Sequence, residues 1–182
     1  MKAIYDKNTL EFVTVAFEFC SWLERDTESD LFKFVDNATK LLPLLYLKAS
    51  LIPLIPDVED EDEDESEMAH FITEETYDAL RTRIAGLLGE YDGYLETFLP
   101  DMAYSDTPII AFISENIADM YQDIGNFVFL FRQGHEQSML QSLSLCAGNF
   151  RLFWGQSLLN ALKALHAVRY NEDIHLKTEE EV

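Results

Sequence analysis

The chain has 182 residues, 48% of them hydrophobic and 13% aromatic, with 13 basic side chains against 34 acidic ones and a formal charge of −21. One domain covering residues 1–182 is the expectation at this length, long enough to bury roughly 70% of its unfolded surface. So large an acidic excess argues against sequence-independent binding to nucleic acid or to an anionic membrane face, since both need Lys and Arg; it favours basic partners or cations.

The first helix is expected to start at Asn8 or Thr9, with Asn8 and Glu11 as a capping box, and to run to about Arg25. Glu11, Thr14, Glu18, Ser21 and Arg25 recur every three or four residues on an otherwise apolar helix. Such a narrow stripe reads as the solvent face, the alternative being that Glu11 and Glu18 point into a polar site. Thr27 to Asp30 is rich in capping residues, and Leu31, Phe34, Val35, Ala38, Leu41, Leu42 and Leu45 supply the buried face of a second helix. Pro43 removes a backbone donor, which predicts a kink or break near Lys40 and a further helical piece from Pro43 to Leu51. Residues 57–67, DVEDEDEDESE, are nine acids in eleven positions. They read as a flexible acidic loop, and no register places the glycine that an EF-hand needs at its sixth position.

Thr73 caps the next helix, with Glu74 and Glu75 at its positive end and Tyr77, Leu80, Ile84, Leu87 and Leu88 along it. Glu90 to Asp106 reads as a short helix and an aromatic-rich loop. A long central helix is expected over Thr107 to Gly134. Thr107 would be its cap, Pro108 its first residue and Gly134 its left-handed stop. Its seam is Ile110, Ile113, Ile117, Met120, Ile124, Phe127 and Phe131. The last helix spans about His135 to Tyr170, with Leu140, Leu143, Ala147, Phe150, Trp154, Ala161, Leu165 and Val168 in one seam. Leu145, Leu152, Leu159, Leu162 and His166 lie on a neighbouring face, and Gly148 and Gly155 admit a close neighbour or a kink. Residues 171–182 form a polar tail. No repeat period is present, so the fold expected is all-α: an antiparallel bundle of about five main helices plus one or two short ones.

Cys20 and Cys146 lack metal-ligand spacing and read as buried free thiols in a reducing compartment. A chain with no signal-peptide pattern near Met1 and no apolar run of membrane-spanning length is expected to be cytoplasmic. Phosphate loops, GxSxG elbows, HExxH pairs and zinc spacings are all missing, and the lone Glu67–His70 pair has no second member for a di-iron site. No cofactor and no catalytic set is therefore called for. What remains is Glu115, Asp119 and Asp123, which spacing of four puts in one row. Three readings of that row stay open: a solvated face, ion pairs with neighbouring helices, or a metal or ligand site. With the last two helices antiparallel about Gln133 and Gly134, Asp119 falls level with Asn149 and near Arg151, and an Asp119–Arg151 pair is expected. By the same register His166 falls level with Met102, near Asp101 and Tyr104.

The runs SENIADMYQDIGNF, Ser114 to Phe127, and FWGQSLLNALKALH, Phe153 to His166, resemble a family of uncharacterised bacterial proteins classed as a domain of unknown function. The likeness covers mainly the last two long helices. It implies an all-helical fold and no particular activity. Its motif positions correspond here to Glu115, Asp119, Tyr121, Asp123, Trp154, Gly155, Asn160 and His166. Two functions are carried forward. One is an interaction or adaptor protein whose acidic surface meets a basic partner protein. The other is a small-ligand, metal-dependent or hydrolytic activity in a bundle pocket lined by Glu115, Asp119, Asp123, Arg151, Trp154 and His166.

Overall fold

The computed structural model describes residues 3–25, 30–55, 71–96 and 109–171, and among the described residues there are five long helical stretches. The acidic stretch 57–67, the tail beyond Asn171, and Thr107 and Pro108 lie outside the described residues. Helix α1 (Lys7–Glu24) is capped by Asp6, whose carboxylate accepts from the Asn8 N–H at 2.9 Å. The cap thus lies two residues before the expected one, and Glu11 is not part of it. Glu11 instead accepts from Lys48 of the next helix at 2.6 Å. Thr14, Glu18 and Arg25 are exposed, so the polar stripe does face solvent, while Phe12, Ala16, Phe19 and Leu23 are buried.

Helix α2 (Leu31–Ser50) is capped by the Asp30 carboxylate, which accepts from the Phe32 and Lys33 N–H groups. It passes unbroken through Pro43, where a kink or break is expected from sequence. Pro43 is exposed, so its ring meets no packed neighbour that would force the helix apart. Helix α3 (Glu74–Leu88) starts where Thr73 predicts, with the hydroxyl accepting from the Thr76 N–H at 3.2 Å, and stops at Gly89, whose φ is 55°.

Between α3 and the central helix the chain differs from expectation. A 3₁₀ turn (Gly89–Tyr91) leads into strand β1 (Gly93–Glu96), which pairs antiparallel with β2 (Ile109–Phe112). The expected short helix is thus a hairpin strand. The central helix, α4 (Ile113–Arg132), begins at Ile113 and not at Thr107. Ile110 therefore leaves the seam and is 63% exposed, whereas Ile113, Ile117, Met120, Ile124 and Phe127 are buried as the spacing predicts. Gly134 ends the element at φ 74°.

The last stretch is α5 (Glu136–Asn149) and α6 (Gly155–Arg169), joined by a π turn (Phe150–Trp154). The one continuous helix of the sequence reading is thus interrupted. Gly155 permits the interruption: a Cβ there would stand 2.4 Å from the Phe150 carbonyl oxygen. Gly155→Ala is expected to cost about 1–3 kcal/mol, the usual range for overpacking, read as a lowered denaturant midpoint. Gly148→Ala serves as the control, because nothing lies within 4 Å of its added Cβ.

All six α-helices contribute to one core, with α3 adding Leu80, Ile84 and Leu88 and α5 adding Leu143, Cys146 and Ala147. Phe12 packs its ring 5.4 Å from Phe127 and 6.4 Å from Trp154. Arg169 ties α6 to α2 through Thr39 Oγ1 at 2.6 Å and through the Asp36 carboxylate. The Lys40 ammonium beside Asp36, and the Lys48 ammonium beside Glu11, hold both carboxyls below the usual carboxylate range. A depressed folded pKa adds stability that is present above the unfolded value and is lost as pH falls through the folded one. Thermal melts are therefore expected to drop below about pH 4, and Asp36→Asn is expected to shrink that drop. Both cysteines are free and buried, and burial pushes both thiols up. No helix among the described residues is long and apolar enough to cross a membrane.

Candidate functional site

The row Glu115, Asp119, Asp123 divides among three environments. Glu115 and Asp119 are exposed and Asp123 is half-buried. Asp119 faces α3, where it accepts the Tyr77 hydroxyl proton at 2.7 Å. Asp123 faces α5 and accepts from the Asn149 amide at 2.8 Å. Asn149 thus meets Asp123, one turn further along α4 than the level expected. No ion pair among the described residues joins Asp119 to Arg151, and Arg151 is exposed on the π turn. The expected pair is replaced by a tyrosine hydrogen bond, because α3 packs on the flank of α4 that carries Asp119. Coupling in a double-mutant cycle is accordingly expected between Tyr77→Phe and Asp119→Ala, at about 0.5–1.5 kcal/mol, with Asp119→Ala and Arg151→Ala additive.

The remaining motif residues spread further. Tyr121 donates to Glu24 at the end of α1 at 3.1 Å. Burial, then the charge and hydrogen bond of Glu24, push its phenol up. Asn160 donates to Glu96 of β1 at 3.0 Å, and the adjacent Tyr94 hydroxyl takes the Asn116 amide at 2.5 Å. Trp154 is buried, with its indole N–H on the Cys146 carbonyl at 3.0 Å. His166 is exposed and rests on the Tyr170 ring at 4.7 Å; Asp101, Met102 and Tyr104, its expected neighbours, lie outside the described residues. The proposed pocket residues thus diverge towards α3, α5, the π turn and the exposed face of α6. Among the described residues no three His, Cys, Asp or Glu side chains are grouped so as to hold a metal ion.

A cleft does open beside part of the row. It measures about 380 Å³ and is lined by Ile72, Thr73, Glu74, Tyr77, Asp119 and Gln122. Two α4 residues that sequence reasoning missed create it. Asn126 accepts from the Phe71 and Ile72 N–H groups at 2.8 and 2.9 Å, fixing the chain as it enters α3. Gly125 gives Ile72 room: a Cβ would lie 2.9 Å from its Cδ1. The start of α3 is thereby held against α4, and Thr73, Glu74 and Tyr77 line the gap. Burial, followed by the hydrogen bond and charge of Asp119 and the charge of Glu115, pushes the Tyr77 phenol above its ordinary value. Tyr77 therefore stays protonated and donates to a carboxylate that remains available on its other lone pairs. A second cleft, also about 380 Å³, lies at Glu24, Thr76, Arg83 and Tyr121, where the Arg83 guanidinium donates to the Leu23 carbonyl and holds the end of α1.

A helical bundle of this architecture has a solved counterpart in fold. The crystal structure of protein BF1032 from Bacteroides fragilis is 45% identical in sequence, with a TM-score of 0.80; the match covers 93% of this chain and 96% of that one. Residues 3–171 match the model of a family described as a domain of unknown function, DUF5063, and the chain belongs to that family. The family likeness thus extends through the first half, beyond the two helices whose motifs carry the resemblance in sequence. No curated protein matches.

Proposed function

We propose that the protein is an interaction module whose α3–α4 cleft receives a basic side chain of a partner protein. The observation that carries this reading is the lining of the cleft: Glu74 and Asp119 supply carboxylates, Tyr77 an aromatic ring, and Thr73 and Gln122 polar groups, with no Lys or Arg among them. Carboxylates beside an aromatic face suit a guanidinium or ammonium, through charge-assisted hydrogen bonds and cation–π attraction. The formal charge of −21 adds long-range steering of a basic partner towards any such face.

The test is fluorescence anisotropy with a labelled Lys/Arg-rich peptide. Wild type is expected to bind, more weakly as salt rises, and Asp119→Asn to lose roughly tenfold, about 1.4 kcal/mol. Equal affinity in Asp119→Asn and Glu74→Gln would place the contact elsewhere and end the assignment. The ligand- or metal-dependent alternative is not adopted, because the side chains it relies on bond to different elements.

A further inference from the structure

We infer that the outer face of the α2–α6 pair binds a second copy of this chain. The acid-rich face and this one differ in chemistry. Leu44 and Leu47 of α2 and Leu51 at its C-cap recur at three and four and are 41%, 51% and 44% exposed. Beside them the π turn turns Leu152 and Phe153 outward, 71% and 63% exposed, and Leu159 of α6 is 41% exposed. The helix register joins these into one surface. Tyr46 meets Phe150 at 5.2 Å and Arg169 meets Thr39, so α2 and α6 run antiparallel, and the stretch after Phe150 that carries Leu152, Phe153 and Leu159 lies level with the part of α2 around Leu44, with Leu47 and Leu51 continuing the row. The sequence marks the same surface. Along one row of α2 the exposed residues are polar at Lys33, Asn37 and Lys40 and apolar at Leu44 and Leu47.

Two observations favour a second copy as the occupant. The first is area. At about 200 Å² for a fully exposed large apolar side chain, the six exposures amount to roughly 600 Å². That is the upper end of what a monomer leaves bare. Paired with itself the face buries roughly 1,200 Å², where stable interfaces begin. The second is charge. In a chain of −21, self-repulsion penalises association through most of the surface. This face escapes it: α2 carries Lys33, Lys40 and Lys48 against Asp36, and residues 150–169 carry Arg151, Lys163 and Arg169 and no acid. Two copies can meet here with their acid-rich faces turned apart, leaving both α3–α4 clefts open.

Sedimentation equilibrium on the full chain over a range of concentrations and salt tests this. The expected mass is twice 21.0 kDa, and the dimer is expected to tighten several-fold as added salt screens the residual repulsion. That dependence is opposite in sign to the one expected for a basic peptide in the cleft. Leu47→Glu with Leu152→Glu, both at exposed positions, is expected to give a monomer that keeps its helical circular dichroism and cooperative melt. If that variant loses its melt, Leu159→Lys carries the comparison. A wild type that stays monomeric throughout overturns the inference, including one that instead floats with anionic vesicles. A dimer that survives the folded substitutions overturns it as well.

Discussion

Trp154→Ala is expected to be among the most damaging single changes, at about 3–5 kcal/mol. Trp154 is 1% exposed at the end of the π turn and meets Phe150 at 4.7 Å and Phe12 at 6.4 Å. Truncation removes a large ring from the junction of the π turn with α1 and α5, where packed neighbours collapse only in part. It also strips the Cys146 carbonyl of the indole donor it holds at 3.0 Å, leaving a buried acceptor unpaired. In a chain of this size the melting temperature should fall by roughly 10 °C. Trp154→Phe retains most of the packing and loses the donor, so it should show the hydrogen-bond share alone, about 1–3 kcal/mol.

Asp92→Ala comes next, at about 2–4 kcal/mol. Helix α4 has no side-chain cap from its own preceding residue, Phe112. Buried Asp92 takes that role from the far end of the hairpin, accepting the Ser114 N–H at 2.8 Å and the Ser114 hydroxyl at 2.7 Å. Its backbone carbonyl accepts the Ile113 N–H at 2.9 Å. A carboxylate at a helix N-terminus also meets the positive end of the dipole. Removing it leaves two buried donors unanswered at the start of the central helix. Asp92→Asn keeps one acceptor and should cost less than half as much, as judged by urea midpoints. If alanine and asparagine are both neutral, the cap is not structural.

Local signals in the sequence carry well. Thr73 and Gly134 cap as read, and the spacing from Ile113 to Phe127 names the buried face of α4, because caps and helical periodicity depend on residues a few places apart. Features that depend on distant partners do not carry. Ile109 to Phe112 is apolar enough to extend a helical seam, and only pairing with Gly93–Glu96 makes it a strand. Asp92 caps a helix 22 residues away, and Tyr77 reaches Asp119 across 42. The row Glu115, Asp119, Asp123 is legible as a row, but its three environments follow from which helix packs on which flank. Asn126 was there to be found: an amide mid-helix among apolar neighbours has a buried partner or a reason to be exposed. The π turn has one local sign, Gly155 directly after Trp154, compatible in sequence with an ordinary helical glycine.

The central claim is that a basic partner is read at the junction of α3 and α4. Backbone amide shifts of the isotope-labelled full chain, followed by NMR during titration with a Lys/Arg-rich peptide, test it most directly. Saturable shifts concentrated at Thr73, Glu74, Tyr77, Asp119 and Gln122, and weakened in Asp119→Asn, are the expected result. Shifts centred on α2 and α6, or small unsaturable shifts spread over every acidic side of the molecule, would contradict it.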